Sequence, residues 1–240
     1  MGGEHDRLTA AEAASVLGWW IEAGVDVAVQ DAPRTWLGAR TSAPAPAVET
    51  PSPAAPESVP DLPESLEALR SWLAGSPTLP FAKGNTRRAL PKGGEAAEVM
   101  LLADMPTPED VAEGQPIAGQ AWELTERMLA AIGFSSEQAY VGSLTCFHSP
   151  GTRLSGDDLE ACANIARRHI SLAKPKRLLL LGDATSRALL GKPLTASRGH
   201  VHKIEGVRAV STFHPRFLLD RPSNKALAWR DLLLLMEEEV

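Results

Sequence analysis

Leu101-Leu-Ala-Asp-Met-Pro-Thr-Pro-Glu-Asp-Val-Ala-Glu-Gly-Gln-Pro-Ile-Ala-Gly119 is the stretch on which the fold turns. The apolar run Val99 to Leu102 stops at Asp104 and Pro106, an acidic, proline-bearing loop follows, and a helical pattern opens after Pro116 and Gly119. A short apolar run ending at a carboxylate and a turn reads as a buried strand that delivers its C-terminal end to a cleft. Ligands of open α/β sheets bind at such ends. About a hundred residues later, Ser211-Thr-Phe-His-Pro-Arg-Phe-Leu-Leu219 repeats the pattern: a strand, then His214-Pro215, then a pair of leucines.

Between and around these segments the pattern alternates. Strands are predicted at 98–103, 139–146, 177–182 and 207–213, and helices at 119–132, 157–172, 184–190 and 223–238. Gly133 stops the first of these helices; Ser155 caps the second, with Asp157 and Asp158 in its first turn. Strands alternating with helices imply a three-layer αβα architecture around a central, mostly parallel sheet.

The residues before this domain differ. Thr9 and Glu12 read as a capping box opening a predicted helix, with Val16, Trp19, Trp20 and Ala23 spaced for one side and Gly24 for its end. Residues 40–64 are rich in Pro, Ala and Ser and too poor in large apolar side chains to order themselves. The expected organisation is a helical arm over 1–39, a linker over 40–64, and the α/β domain over 65–240, opened by a short helix from Ser65 to Leu73. The paired tryptophans need burial, on the chain's own domain or on a protein partner.

The net charge of −6 is unevenly spread. Residues 1–79 carry four Arg and Lys against eleven Asp and Glu, whereas 80–240 carry twenty against nineteen. A near-neutral domain excludes a strongly basic nucleic-acid binder yet leaves room for a local basic groove. Lys83, Arg87, Arg88 and Lys92 form the clearest basic cluster. Two cysteines, Cys146 and Cys162, give no disulfide framework. No secretory signal or membrane-length apolar run stands out, so the expectation is a cytoplasmic monomer without membrane contact.

The two segments together resemble the uracil-DNA glycosylase superfamily, most closely its family 4, iron–sulfur type. Ala103-Asp-Met-Pro-Thr107, Glu109-Asp110 and Gly114-Gln-Pro-Ile-Ala-Gly119 match that family's first motif, and His214-Pro-Arg-Phe-Leu-Leu219 matches its second. Leu178-Leu-Leu-Leu-Gly182 and Ala188-Leu-Leu-Gly-Lys192 resemble intervening elements in order and spacing, so the likeness covers roughly residues 80–236.

The resemblance implies excision of uracil from DNA. The nucleotide is flipped from the duplex, and negative charge is stabilised on the departing base. It assigns Asp104 to orienting water and His214 to donating a hydrogen bond to the base oxygen. Pro106, Glu109 and Asp110 belong to the substrate loop, and Phe217 and Leu218 to a wedge in the base stack. Arg87, Arg88, Lys92 and Arg216 are candidates for DNA phosphates. The departures are as specific. Ser143 stands where the family reads the base with an asparagine, which removes the paired donor and acceptor of an amide. Ile117 stands where an aromatic ring stacks on uracil. Phe147 stands at the third cluster-ligand position, Cys146 is offset by one, and only Cys162 lies near the fourth, so neither metal nor cofactor is expected. Two functions follow: a cluster-free glycosylase acting on DNA, or a binding module on the same scaffold that engages DNA or a repair partner.

Overall fold

The computed structural model describes residues 62–237 apart from 83–85, 95–96, 150, 152–153 and 155. The helical arm, nearly all of the linker and the Ser155 cap lie outside the described residues.

Five strands form the sheet, in the order β2-β1-β3-β5-β4, where β1 is Val99–Ala103, β2 Ala139–Ser143, β3 Arg177–Leu181, β4 Val201–Ile204 and β5 Val207–Thr212. The first four in that order are mutually parallel, with Val99 opposite both Ala139 and Arg177, and Arg177 opposite Arg208. Strand β4 pairs antiparallel with β5 at the edge. All five residues of β1 are buried, as a strand covered on both faces requires.

Alternate residues feed two cores. On one face Met100, Leu102, Leu178 and Leu180 pack with Ala166 and Ile170 of α4 (Gly156–Ala173). On the other, Val99, Leu101, Leu179 and Val210 pack with Leu129 of α3 (Gly119–Ala131) and Leu232 of α8 (Lys225–Met236). This is the expected three-layer αβα arrangement. The remaining helices are α1 (Leu66–Gly75), α2 (Pro108–Glu113), α5 (Asp183–Leu190), α6 (Leu194–Ser197) and α7 (Pro215–Asp220).

Three local features depart from the sequence expectation. The acidic loop after β1 contains α2, because Thr107 and Asp110 close a capping box and Gly114 ends the turn in the left-handed region. Strand β2 ends at Ser143 and not at 146: the Ser143 hydroxyl donates to Thr145 O at 2.7 Å and the Thr145 hydroxyl to Phe147 O at 2.9 Å, so local turns replace the ladder. Strand β4 and helix α7 are additions that their short, irregular sequences did not signal.

A third, smaller core lies beside α1, where Leu69, Leu73, Leu79, Cys146 and Phe147 pack together. Arg88 closes it. Its guanidinium donates to the Leu73 and Ser76 carbonyls at 2.6 and 2.8 Å and lies over the Phe147 ring, 4.9 Å from its centre. Those carbonyls end α1 and have no helical partners, so the cation satisfies them and complements the helix dipole. Arg88, expected at DNA phosphates, is therefore spent inside the fold, while its neighbour Arg87 is exposed. Arg88→Ala should lower unfolding free energy by about 2–4 kcal/mol, whereas Arg87→Ala should leave it nearly unchanged; urea denaturation of both variants measures the difference.

Candidate active site at the carboxyl ends of the strands

Strand order reverses between β1 and β3: the chain leaves β1 towards β2 and returns on the far side at β3. The crevice outside their carboxyl ends is where an open α/β sheet takes its ligand. Asp104 follows β1 directly, and Gly182 follows β3. These two are in close contact, since a Cβ on Gly182 would lie 2.4 Å from Asp104 Oδ2. With φ of +106° Gly182 also holds a conformation open essentially to glycine alone. The sequence marks this residue only as the glycine closing a run of four leucines.

Burial is the main influence on Asp104. It raises the carboxyl from 3.8 to about 6, with Arg216 pulling down and Asp183 adding to the rise. The group therefore changes charge near neutrality, the range useful to a general base.

Asp110, expected in the substrate loop, is a buried anchor in the structure. Its carboxylate accepts from Thr107 N at 2.7 Å, the Thr107 hydroxyl at 2.8 Å and Ala118 N at 2.7 Å, and it pairs with Arg216 of α7. The pair ties the loop after β1 to the helix after β5, across the end of β3. Glu109 is exposed, with its carboxylate against Gly119 at the start of α3. Pro106 is buried, and its carbonyl accepts from His148 Nδ1 at 2.9 Å.

His214 caps α7. Its Nδ1 accepts from Arg216 N at 3.2 Å, which places the proton of the neutral ring on Nε2. That Nε2 is buried and lacks a protein partner among the described residues. Burial, reinforced by the Arg216 charge, pushes the ring from 6.5 down to about 3, so it stays neutral in any physiological medium. A buried N–H donor without an acceptor costs free energy, and such a cost commonly marks a place kept for a ligand.

The other expected residues fall as follows. Phe217 is 41% exposed and stacks on Phe213 with ring centres 5.0 Å apart, whereas Leu218, expected to share its wedge, is 1% exposed. Leu218 cannot enter a base stack without leaving the core. Ile117 is 1% exposed within the core below α3. Ser143 lies beside Ala103, but its hydroxyl donor is already used on Thr145 O. Lys92 is exposed; its ammonium donates to Gln115 Oε1 at 3.3 Å and lies 5.2 Å from the Trp122 ring centre.

The family model for the uracil DNA glycosylase superfamily matches residues 90–233, well over half of the chain. The chain belongs to that superfamily. It is similar to curated proteins named type-4 uracil-DNA glycosylase. The one from Archaeoglobus fulgidus is 24% identical over 54% of this chain and 71% of its own. The one from Pyrobaculum aerophilum is 24% identical over 62% and 82%, and the one from Saccharolobus solfataricus 25% over 63% and 76%.

Within the superfamily, the iron–sulfur type implies a cluster held by cysteine thiolates. The residues here do not fit one. The chain has two cysteines, Cys146 and Cys162, and burial pushes both thiols up to about 12. Phe147, where the resemblance implies a ligand, is buried in the apolar core that Arg88 closes. No described helix is long and apolar enough to cross a membrane.

Proposed function

We propose that this protein is a uracil-DNA glycosylase that works without an iron–sulfur cluster, hydrolysing the N-glycosidic bond of deaminated bases in DNA, uracil foremost. The observation that carries the reading is the neutral, buried His214, whose Nε2–H has no acceptor among the described residues. In excision, the C1′–N bond breaks with its electron pair leaving on the base. A neutral N–H donor aimed at the base oxygen strengthens its hydrogen bond as that charge develops. Asp104, ionised above about pH 6, accepts a proton from the water that bonds to C1′ and favours the cationic sugar electrostatically. Phe217 supplies the exposed apolar ring that holds the duplex open once the nucleotide has flipped. Arg87 and Lys92, exposed side chains of the basic segment, are available to phosphates. In this reading the protein acts in base excision repair in the cytoplasm as a monomer.

The binding-module reading draws on two observations, the Ser143 hydroxyl turned onto its own loop and Ile117 closed into the core. Both remove base-reading contacts. A strand-cleavage assay after alkali treatment, on duplex and single-stranded oligonucleotides carrying uracil, hypoxanthine or xanthine, separates the two. Cleavage at uracil is the expected result; binding with no cleavage on any substrate would leave the module.

A further inference from the structure

Arg216 is held at both ends. Its guanidinium pairs with Asp110, a carboxylate that is itself fixed by three donors from Thr107 and Ala118. Its backbone N–H donates to His214 Nδ1. The side chain is 31% exposed, while that of Asp110 is 1% exposed. A free phosphate clamp would extend its fork into solvent, whereas this fork is bound to the best-anchored carboxylate of the neighbouring loop. The consequence lies on the ring next door. Once Nδ1 is an acceptor, the ring's only proton is on Nε2, the atom that is buried and unpartnered.

We propose that Arg216, gripped by Asp110, is the positioning residue of this site: it holds the start of α7 so that its backbone fixes His214 as the Nε2–H tautomer and aims that donor at the reacting base. The catalytic consequence rests on the glycosylase reading; the ring geometry does not. The charge that acts on His214 is that of Arg216 on α7 itself; Asp110 pairs with that Arg216, and Asp104, under the influence of both Arg216 and Asp183, lies at the end of β1. Loss of Arg216 removes a charge that opposes protonation of the ring as well as the anchor of α7.

The test uses the full chain labelled with nitrogen-15, comparing wild type with Arg216→Ala, Arg216→Lys and Arg216→Met by long-range proton–nitrogen correlation of the His214 ring between pH 5 and 8. The wild type is expected to show one neutral Nε2–H form throughout. Arg216→Ala and Arg216→Met should show mixed tautomers or a ring that begins to protonate within that range, and Arg216→Lys should recover most of the wild-type pattern. Under single-turnover conditions with saturating protein, Arg216→Met should release uracil about ten- to a hundredfold more slowly, with DNA affinity and its salt slope unchanged. A His214 spectrum identical to wild type in both Ala and Met variants would overturn the proposal. So would a salt slope lower by about one with the rate restored at saturation, because that identifies a phosphate contact. If the wild type releases no base at all, the glycosylase reading fails, while the spectra still decide whether Arg216 sets the ring.

Discussion

Asp104→Asn is expected to abolish excision and to make the protein more stable. The two effects share one cause. Burial holds the carboxyl at about 6 against 3.8 for the free group, so ionising it at neutral pH costs the fold up to roughly 3 kcal/mol. An amide occupies the same space without the charge. A folded-state value above the unfolded one favours the protonated form. The Asp104 contribution is therefore intact below about pH 4 and is lost as pH rises through about 6. The variant should melt several degrees above wild type at pH 8, and the free-energy gap should shrink to roughly half at pH 5. Thermal melts at the two pH values check this. Equal melting temperatures at pH 8 would mean that the carboxylate is well solvated and is no tuned base.

His214→Ala should slow single-turnover uracil release by a hundredfold or more, the usual scale for losing one preorganised donor to a developing anion. DNA affinity should scarcely change, since phosphate contacts dominate it. Removing a buried ring also leaves a cavity, so His214→Leu serves as the volume control. It has no donor, fills the space and relieves the orphaned Nε2. The Leu variant should fold at least as stably as wild type and be as slow as the Ala variant. A fast Leu variant would move the catalytic donor elsewhere.

Much of this was legible in the sequence where hydrophobic period and strand ends coincide. The buried runs at Val99 and Leu178 became adjacent parallel strands, and Asp104 and His214 follow the carboxyl ends of β1 and β5. The same reading failed where a polar group's partner is distant in sequence. Asp110 reads as a residue of the substrate loop because its partner Arg216 lies 106 residues away. Arg88 looked like a phosphate ligand because the carbonyls it satisfies belong to a helix end that only the fold brings near. Leu218 looked like half of a wedge because two adjacent leucines do not announce which one the short helix α7 turns inward. Gly182 carried no visible reason until Asp104 was found pressed against it. In each case the signal was a residue type whose role depends on tertiary contact, where periodicity is silent.

The Phe147 position shows another way a site is rebuilt. Where the resemblance implies a metal ligand, this chain packs an aromatic ring under Arg88 and surrounds it with Leu69, Leu73 and Leu79. Apolar burial and one cation tie α1 to the loop after β2.

In the proposed mechanism a neutral His214 donor and an ionised Asp104 together excise uracil. The most direct test is the single-turnover rate of uracil release from a uracil-containing duplex, measured for the wild-type protein from pH 5 to 8. The predicted profile rises with pH, levels off above about 6 as Asp104 ionises, and shows no decline up to pH 8, because His214 is already neutral throughout. No release at any pH, or a rate that falls as pH rises through 6 to 7 as a protonated histidine would require, contradicts it.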